Sequence, residues 1–152
     1  MPAINLNVAP QAIYLKIHSI TVLLSYAAFI MASAAAALYL VQNGALKRKD
    51  SGIIFSRLPD LSFLDKLNYR MIGLGLPILT VSILTGFVWA NNTRGVYWRG
   101  YDSREFYSLV LWLVYALILH VRLSQRLRGR KVALLSLAAF IIIILTLFGK
   151  CQ

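Results

Sequence analysis

Two histidines, His18 and His120, are the side chains of this 152-residue chain best suited to bind a metal. Each lies in a long apolar stretch, where a neutral imidazole is a good axial ligand for haem iron. His18 is early in the first stretch and His120 late in the third, so their depths in a membrane would differ by about 15 Å. We therefore expect each to ligate a separate haem. The alternative is that each is only a hydrogen-bonded histidine near a helix end.

The loop at residues 91–105 combines aromatic and charged side chains between two apolar stretches. One interpretation is that its rings are ordinary interfacial anchors and its arginines contact lipid phosphates. The other is an aromatic platform for a planar cofactor, with arginines on its carboxylates, which guanidinium groups bind in a bidentate manner. The candidate cofactor-binding residues of this loop are Trp98, Arg99, Tyr101, Asp102 and Arg104. The sequence contains no nucleophile–base pair or glycine-rich phosphate loop, which argues against hydrolytic catalysis.

The composition indicates an integral membrane protein. Hydrophobic residues make up 59% of the chain, which is too apolar for a soluble domain of this size. The net charge of +11 does not indicate nucleic acid as a partner, because the charges lie in short loops and form no basic face. The single cysteine, Cys151, excludes an internal disulfide, and the chain has no Cys–x–x–Cys–His motif for covalent haem attachment.

We predict an all-α, four-helix transmembrane bundle as a single domain over residues 1–152, with spans at about 12–41, 71–90, 106–121 and 132–148. The first span has small residues at 33–37 for close helix packing, and Gly75, Ser82 and Gly86 offer similar approach points on the second. Pro77 is expected to kink the second span. A separate helix after Pro59 and Asp60 is expected to lie along the membrane interface.

The distribution of lysine and arginine predicts the orientation. Loops 43–70 and 122–131 carry eleven of the sixteen basic residues. The positive-inside rule therefore places these two loops inside and both termini outside, together with loop 91–105.

Residues 17–33, 58–90, 95–122 and 128–149 resemble the CcsA/ResC family of cytochrome c assembly proteins, in order and spacing as well as in hydropathy. In that family, a tryptophan-rich external loop (the WWD motif) binds haem between external histidines, and a further histidine ligates a second haem within the membrane. The resemblance implies that His18 is an external ligand and that His120, in the sequence LHVR, is the membrane ligand. Trp98, Tyr101, Asp102, Arg104 and Glu105 match the loop motif, although Tyr101 stands where the family has a second tryptophan.

The resemblance implies a haem-handling membrane subunit that holds or passes haem b with a partner chain. The family's second external histidine lies beyond the matched region, so we expect other integral membrane subunits to supply missing ligands, such as a CcsB/ResB-like protein or a cytochrome-containing complex. The expected location is the lipid bilayer of a bacterial cytoplasmic (inner) membrane or a thylakoid. The alternative is a cofactor-free structural subunit of a respiratory or photosynthetic complex, derived from the same scaffold. On either interpretation we do not expect the chain to be an enzyme on its own.

Overall fold

The computed structural model of the chain describes residues 8–48, 59–95, 104–124 and 129–148, and these form four helices. The helices are α1 (Val8–Lys47), α2 (Leu61–Arg94), α3 (Arg104–Leu123) and α4 (Arg130–Phe148). Each helix runs antiparallel to the one before it, and α4 returns to pack on α1 as well as α3. The predicted all-α four-helix bundle is therefore confirmed for the described residues.

Three of these helices are long and apolar enough to cross a membrane: residues Ala12–Lys47, Leu61–Arg94 and Glu105–Leu123. The fourth predicted span falls on α4, whose 19 residues would extend about 28 Å. That α4 also crosses the membrane stays a prediction.

Helix α2 differs from the prediction at both ends. It begins after Pro59 and Asp60, as predicted, but it then runs without interruption to Arg94. The prediction of a separate interfacial helix at residues 61–70 was wrong. No helix-breaking residue separates that segment from the span, so one helix continues through both. The loop predicted to start at residue 91 starts only at Gly95, which has a left-handed φ of 69° and donates its backbone N–H to the Asn91 carbonyl.

Aromatic and small residues form the centre of the bundle. The rings of Phe29 and Tyr115 stack with centroids 3.9 Å apart, which joins α1 to α3, and both side chains are fully buried. Phe29 also lies against Gly75 of α2, where an added Cβ would be only 2.7 Å from the ring. The buried small residues of α1 include Ser25, Ala32, Ser33, Ala35 and Ala36, whereas Ala34 is exposed. Within the predicted stretch 33–37, close packing is therefore confirmed at Ser33, Ala35 and Ala36, and on α2 at Gly75.

Candidate functional site

His18 is held against α2 by a hydrogen bond to the backbone. Its Nδ1 lies 2.8 Å from the Ser82 carbonyl oxygen and 3.2 Å from the Ser82 hydroxyl. A carbonyl oxygen can only accept, so Nδ1 must carry the proton. In the neutral ring the lone pair is therefore on Nε2, for which the described residues provide no hydrogen-bond partner. Histidines that ligate metals are commonly oriented in this way, with the second ring nitrogen donating to a carbonyl.

Gly86, one turn after Ser82, provides the space for the His18 ring. A Cβ at Gly86 would lie 2.9 Å from both Cε1 and Nδ1 of the imidazole, well inside ordinary van der Waals contact. The ring therefore lies directly on the α2 backbone. Only glycine allows this approach without displacing the ring.

A cavity of about 540 Å³ opens beside His18 between the ends of α1, α2 and α3. We call this region the His18 cavity. Its volume is within the usual range for cofactor and small-molecule sites. Most of its wall is apolar, and the charged side chains among the described residues of the wall are Arg94 and Glu105. The apolar residues of the wall include Leu15, Val22, Leu23, Ile83, Phe87 and Trp89.

An ion pair joins α2 to α3 at this cavity. Nη1 of Arg94, in the last turn of α2, lies 3.7 Å from Oε1 of Glu105 in the first turn of α3. The Arg94 guanidinium also lies 4.8 Å from the centre of the Trp89 ring, a cation–π contact within α2. Each charge is at the helix end that its sign favours, because the dipole is positive at the start of a helix and negative at its end.

His120 lies at the opposite end of the bundle and on its surface. Its side chain is exposed, on the same face of α3 as the exposed residues Leu113 and Leu117. Its imidazole has no hydrogen-bond or ion-pair partner among the described residues. This chain alone leaves the ring accessible from outside the bundle.

Arg122, two residues after His120, connects the end of α3 to the start of α2 by hydrogen bonds. Its Nη2 donates to the Asp65 carboxylate at 2.6 Å and to the Asp65 carbonyl at 2.8 Å, and its Nη1 reaches the Asn68 side-chain oxygen at 3.4 Å. The guanidinium also lies 4.9 Å from the Tyr69 ring centre. These contacts give the segment that carries His120 a defined position relative to α2.

Asn68 extends the same network to the other two helices. Its Nδ2 donates to the Ala32 carbonyl of α1 at 2.8 Å and to the Ser136 hydroxyl of α4 at 3.1 Å. Asn68 and Ser136 are both buried. Because unsatisfied polar groups are costly in an apolar bundle, this network is expected to specify how the four helices meet.

The structure keeps the two histidines apart. Their contacts on α2 are at Ser82 for His18 and near Asn68 for the His120 end, about 21 Å apart along the helix. No cluster of three or more potential metal-ligating side chains occurs within the described ranges. The predicted loop residues Trp98, Arg99, Tyr101 and Asp102 lie outside the described residues, and Arg104 begins α3.

Sequence reasoning did not identify the residues that contact His18 or the Arg122 contacts beside His120. The signal for Ser82 and Gly86 was their small size and one-turn spacing, which predicted close approach but not a histidine there. The Asp65–Arg122 pair joins residues 57 positions apart and leaves no local pattern in the sequence.

Comparison with known proteins gives a family for the whole described bundle. Residues 1–150 match the family described as cytochrome C assembly protein. The cytochrome c biogenesis protein CcsA of Chlamydomonas reinhardtii is 37% identical over 139 residues, covering 89% of this chain and 37% of that protein. The CcsA of Guillardia theta is 34% identical over 164 aligned residues, covering 98% of this chain and 52% of that protein. The CcsA of Rippkaea orientalis is 40% identical over 111 residues, covering 68% of this chain and 32% of that protein.

The chain thus spans about a third to a half of the length of these curated relatives. No solved structure gives a significant match. The three long apolar helices indicate a multi-pass membrane protein. The chain belongs to the cytochrome c assembly protein family.

Proposed function

We propose that this chain is a haem-handling membrane subunit of cytochrome c assembly, which holds haem b non-covalently together with a partner chain. The observation that carries the proposal is the His18 cavity. There the Ser82 carbonyl directs the lone pair of His18 to Nε2 beside an apolar volume of about 540 Å³. Nε2 of His18 would hold the haem by binding its iron, and the iron would accept a further donor from a partner chain.

The ends of the aromatic loop also support this site. Arg94 and Glu105 line the His18 cavity, and they lie just before and just after the loop residues 95–103. The loop is therefore attached to the bundle at the cavity. This supports the predicted contribution of Trp98, Arg99, Tyr101, Asp102 and Arg104 to cofactor binding, and in our proposal the His18 end faces the outside of the membrane.

His120 supports the requirement for a partner. An ionisable side chain on a lipid-facing helix surface is costly, and such residues in membrane helices are usually covered by protein or function in a site. We propose that a second membrane subunit, such as a CcsB/ResB-like protein, covers the face of Leu113, Leu117 and His120. His120 would then ligate a second haem with a donor from that subunit.

The experiment is a visible absorption titration of the purified full chain with hemin in lipid nanodiscs. We expect a Soret band that His18→Ala shifts and weakens, and that added imidazole restores in the variant, because imidazole can occupy the vacated ligand position. Ile20→Ala, an exposed neighbour on the same helix that lies outside the cavity lining, is the matched control and should bind hemin normally. A spectrum unchanged by His18→Ala, or the absence of a Soret band in the unmodified chain, would exclude the His18 site.

A further inference from the structure

The contact between Arg94 and Glu105 has the properties of an ion pair that can be exchanged. Its Nη1–Oε1 distance of 3.7 Å is longer than the 2.7–2.9 Å of a charge-assisted hydrogen bond. Both side chains are partly exposed, at 33% for Arg94 and 24% for Glu105. Ion pairs in such surroundings contribute little stability, so separating the two groups costs little.

Arg94 would keep its position if Glu105 moved away. The cation–π contact with Trp89 comes from the same helix and does not depend on α3. A guanidinium has five N–H donors in a planar fork, and only Nη1 of Arg94 is engaged in the pair with Glu105. Arg94 is therefore held in place and has donors left for a second anionic group.

Among the described residues that line the His18 cavity, Arg94 carries a formal positive charge and Glu105 a formal negative charge. Arg94 follows Gly86, which contacts His18, by eight residues, or about 12 Å along α2, and its guanidinium lies over the ring of Trp89, which is between the two in sequence. His18 and Arg94 line the same cavity, so one ligand there can contact both.

We infer that Arg94 is the residue of the His18 cavity that binds a ligand carboxylate, and that Glu105 occupies its guanidinium until that carboxylate arrives. The inference rests on the proposed function and specifies its ligand as a porphyrin with at least one free carboxylate. Removing the competing carboxylate at position 105 then increases the affinity for this porphyrin. Removing the guanidinium at position 94 decreases that affinity.

The test compares hemin with its dimethyl ester, which has the same macrocycle and iron but no free carboxylate. Titration of the full chain in nanodiscs should give an affinity for hemin about ten-fold or more above that for the diester. Arg94→Gln should remove this preference by weakening hemin binding and leaving diester binding unchanged. Glu105→Gln should increase the preference, and Arg94→Lys should retain part of it because lysine keeps the charge but not the fork.

Arg70→Gln is the matched control, since Arg70 is an exposed arginine near the other end of the same helix. It should bind both ligands as the unmodified chain does. Opposite effects of Arg94→Gln and Glu105→Gln cannot arise from misfolding, which would lower both affinities. Equal affinities of the unmodified chain for hemin and diester, or equal losses of both in Arg94→Gln, would overturn this inference and leave the His18 site standing. Failure of the unmodified chain to bind either ligand would overturn both this inference and the proposed His18 site.

Discussion

Replacing Gly86 with alanine tests whether the orientation of His18 matters for haem binding. The new Cβ would lie 2.9 Å from Nδ1 and Cε1 of the ring, whereas favourable contacts are about 3.5–4.0 Å. The ring must therefore move by about half an ångström or more. Such a movement away from α2 would lengthen the 2.8 Å hydrogen bond from Nδ1 to the Ser82 carbonyl toward the limit for such bonds.

The expected loss in haem affinity can be derived from that hydrogen bond. A hydrogen bond of this kind contributes about 0.5–1.5 kcal/mol, and removing a partner that orients a metal-binding histidine typically lowers metal affinity about 10–100-fold. The stability of the apo bundle should change little, because the preference for alanine over glycine in a helix interior, about 0.8–1.0 kcal/mol, offsets most of the weakened hydrogen bond. Gly86→Ala should therefore lose haem affinity without losing stability.

The assay is a hemin titration in nanodiscs together with a thermal melt of the apo chain. Gly73→Ala is the matched control, because it lies on the same helix and an added Cβ there meets no atom within 4 Å. It should keep normal haem affinity. Hemin binding by Gly86→Ala within two-fold of the unmodified chain would refute the reasoning, as would an equal loss in Gly73→Ala.

Two further predictions concern the stability of the bundle. Gly75→Ala places a Cβ 2.7 Å from the fully buried Phe29 ring and should be less stable than Gly73→Ala by about 1–3 kcal/mol in a reversible unfolding assay; equal stabilities would contradict the close packing. Arg122→Gln leaves the Asp65 carboxylate without its charged partner and should lower stability by about 1–3 kcal/mol in the same assay, and Asp65→Asn in the Arg122→Gln background should recover part of the loss. A double variant no more stable than the single one would show that the ion pair is not responsible.

The positions and order of the four long apolar helices could be predicted from the sequence because long apolar stretches and basic loops have strong, local signals. Approach points at Gly75 and Gly86 could also be predicted, since a missing side chain on an apolar helix favours a close neighbour. The continuity of α2 through residues 61–70 was missed because the helix start after Pro59 and Asp60 was interpreted as the start of a separate interfacial helix. In the structure the polar side chains of this segment, Asp65 and Asn68, are satisfied by Arg122 and by neighbouring helices.

The hydrogen-bond partner of His18 could not be predicted for a different reason. The acceptor for His18 is a backbone carbonyl, and every residue has one, so no residue type at position 82 identifies it. The hydroxyl of Ser82 is a second contact, but serine has many roles in membrane helices. Only the relative position of α1 and α2 determines which carbonyl the ring meets.

Two hydrogen bonds between α1 and α2, one between His18 and Ser82 and one between Asn68 and Ala32, fix the rotation of each helix relative to the other. His18 and Ala32 are fourteen residues apart on α1, and their partners Ser82 and Asn68 are fourteen apart on α2, a separation close to four full turns. One residue inserted between Asn68 and Ser82 would rotate one partner by about 100° relative to the other. The segment between these two contacts can therefore change its residue types far more readily than its length.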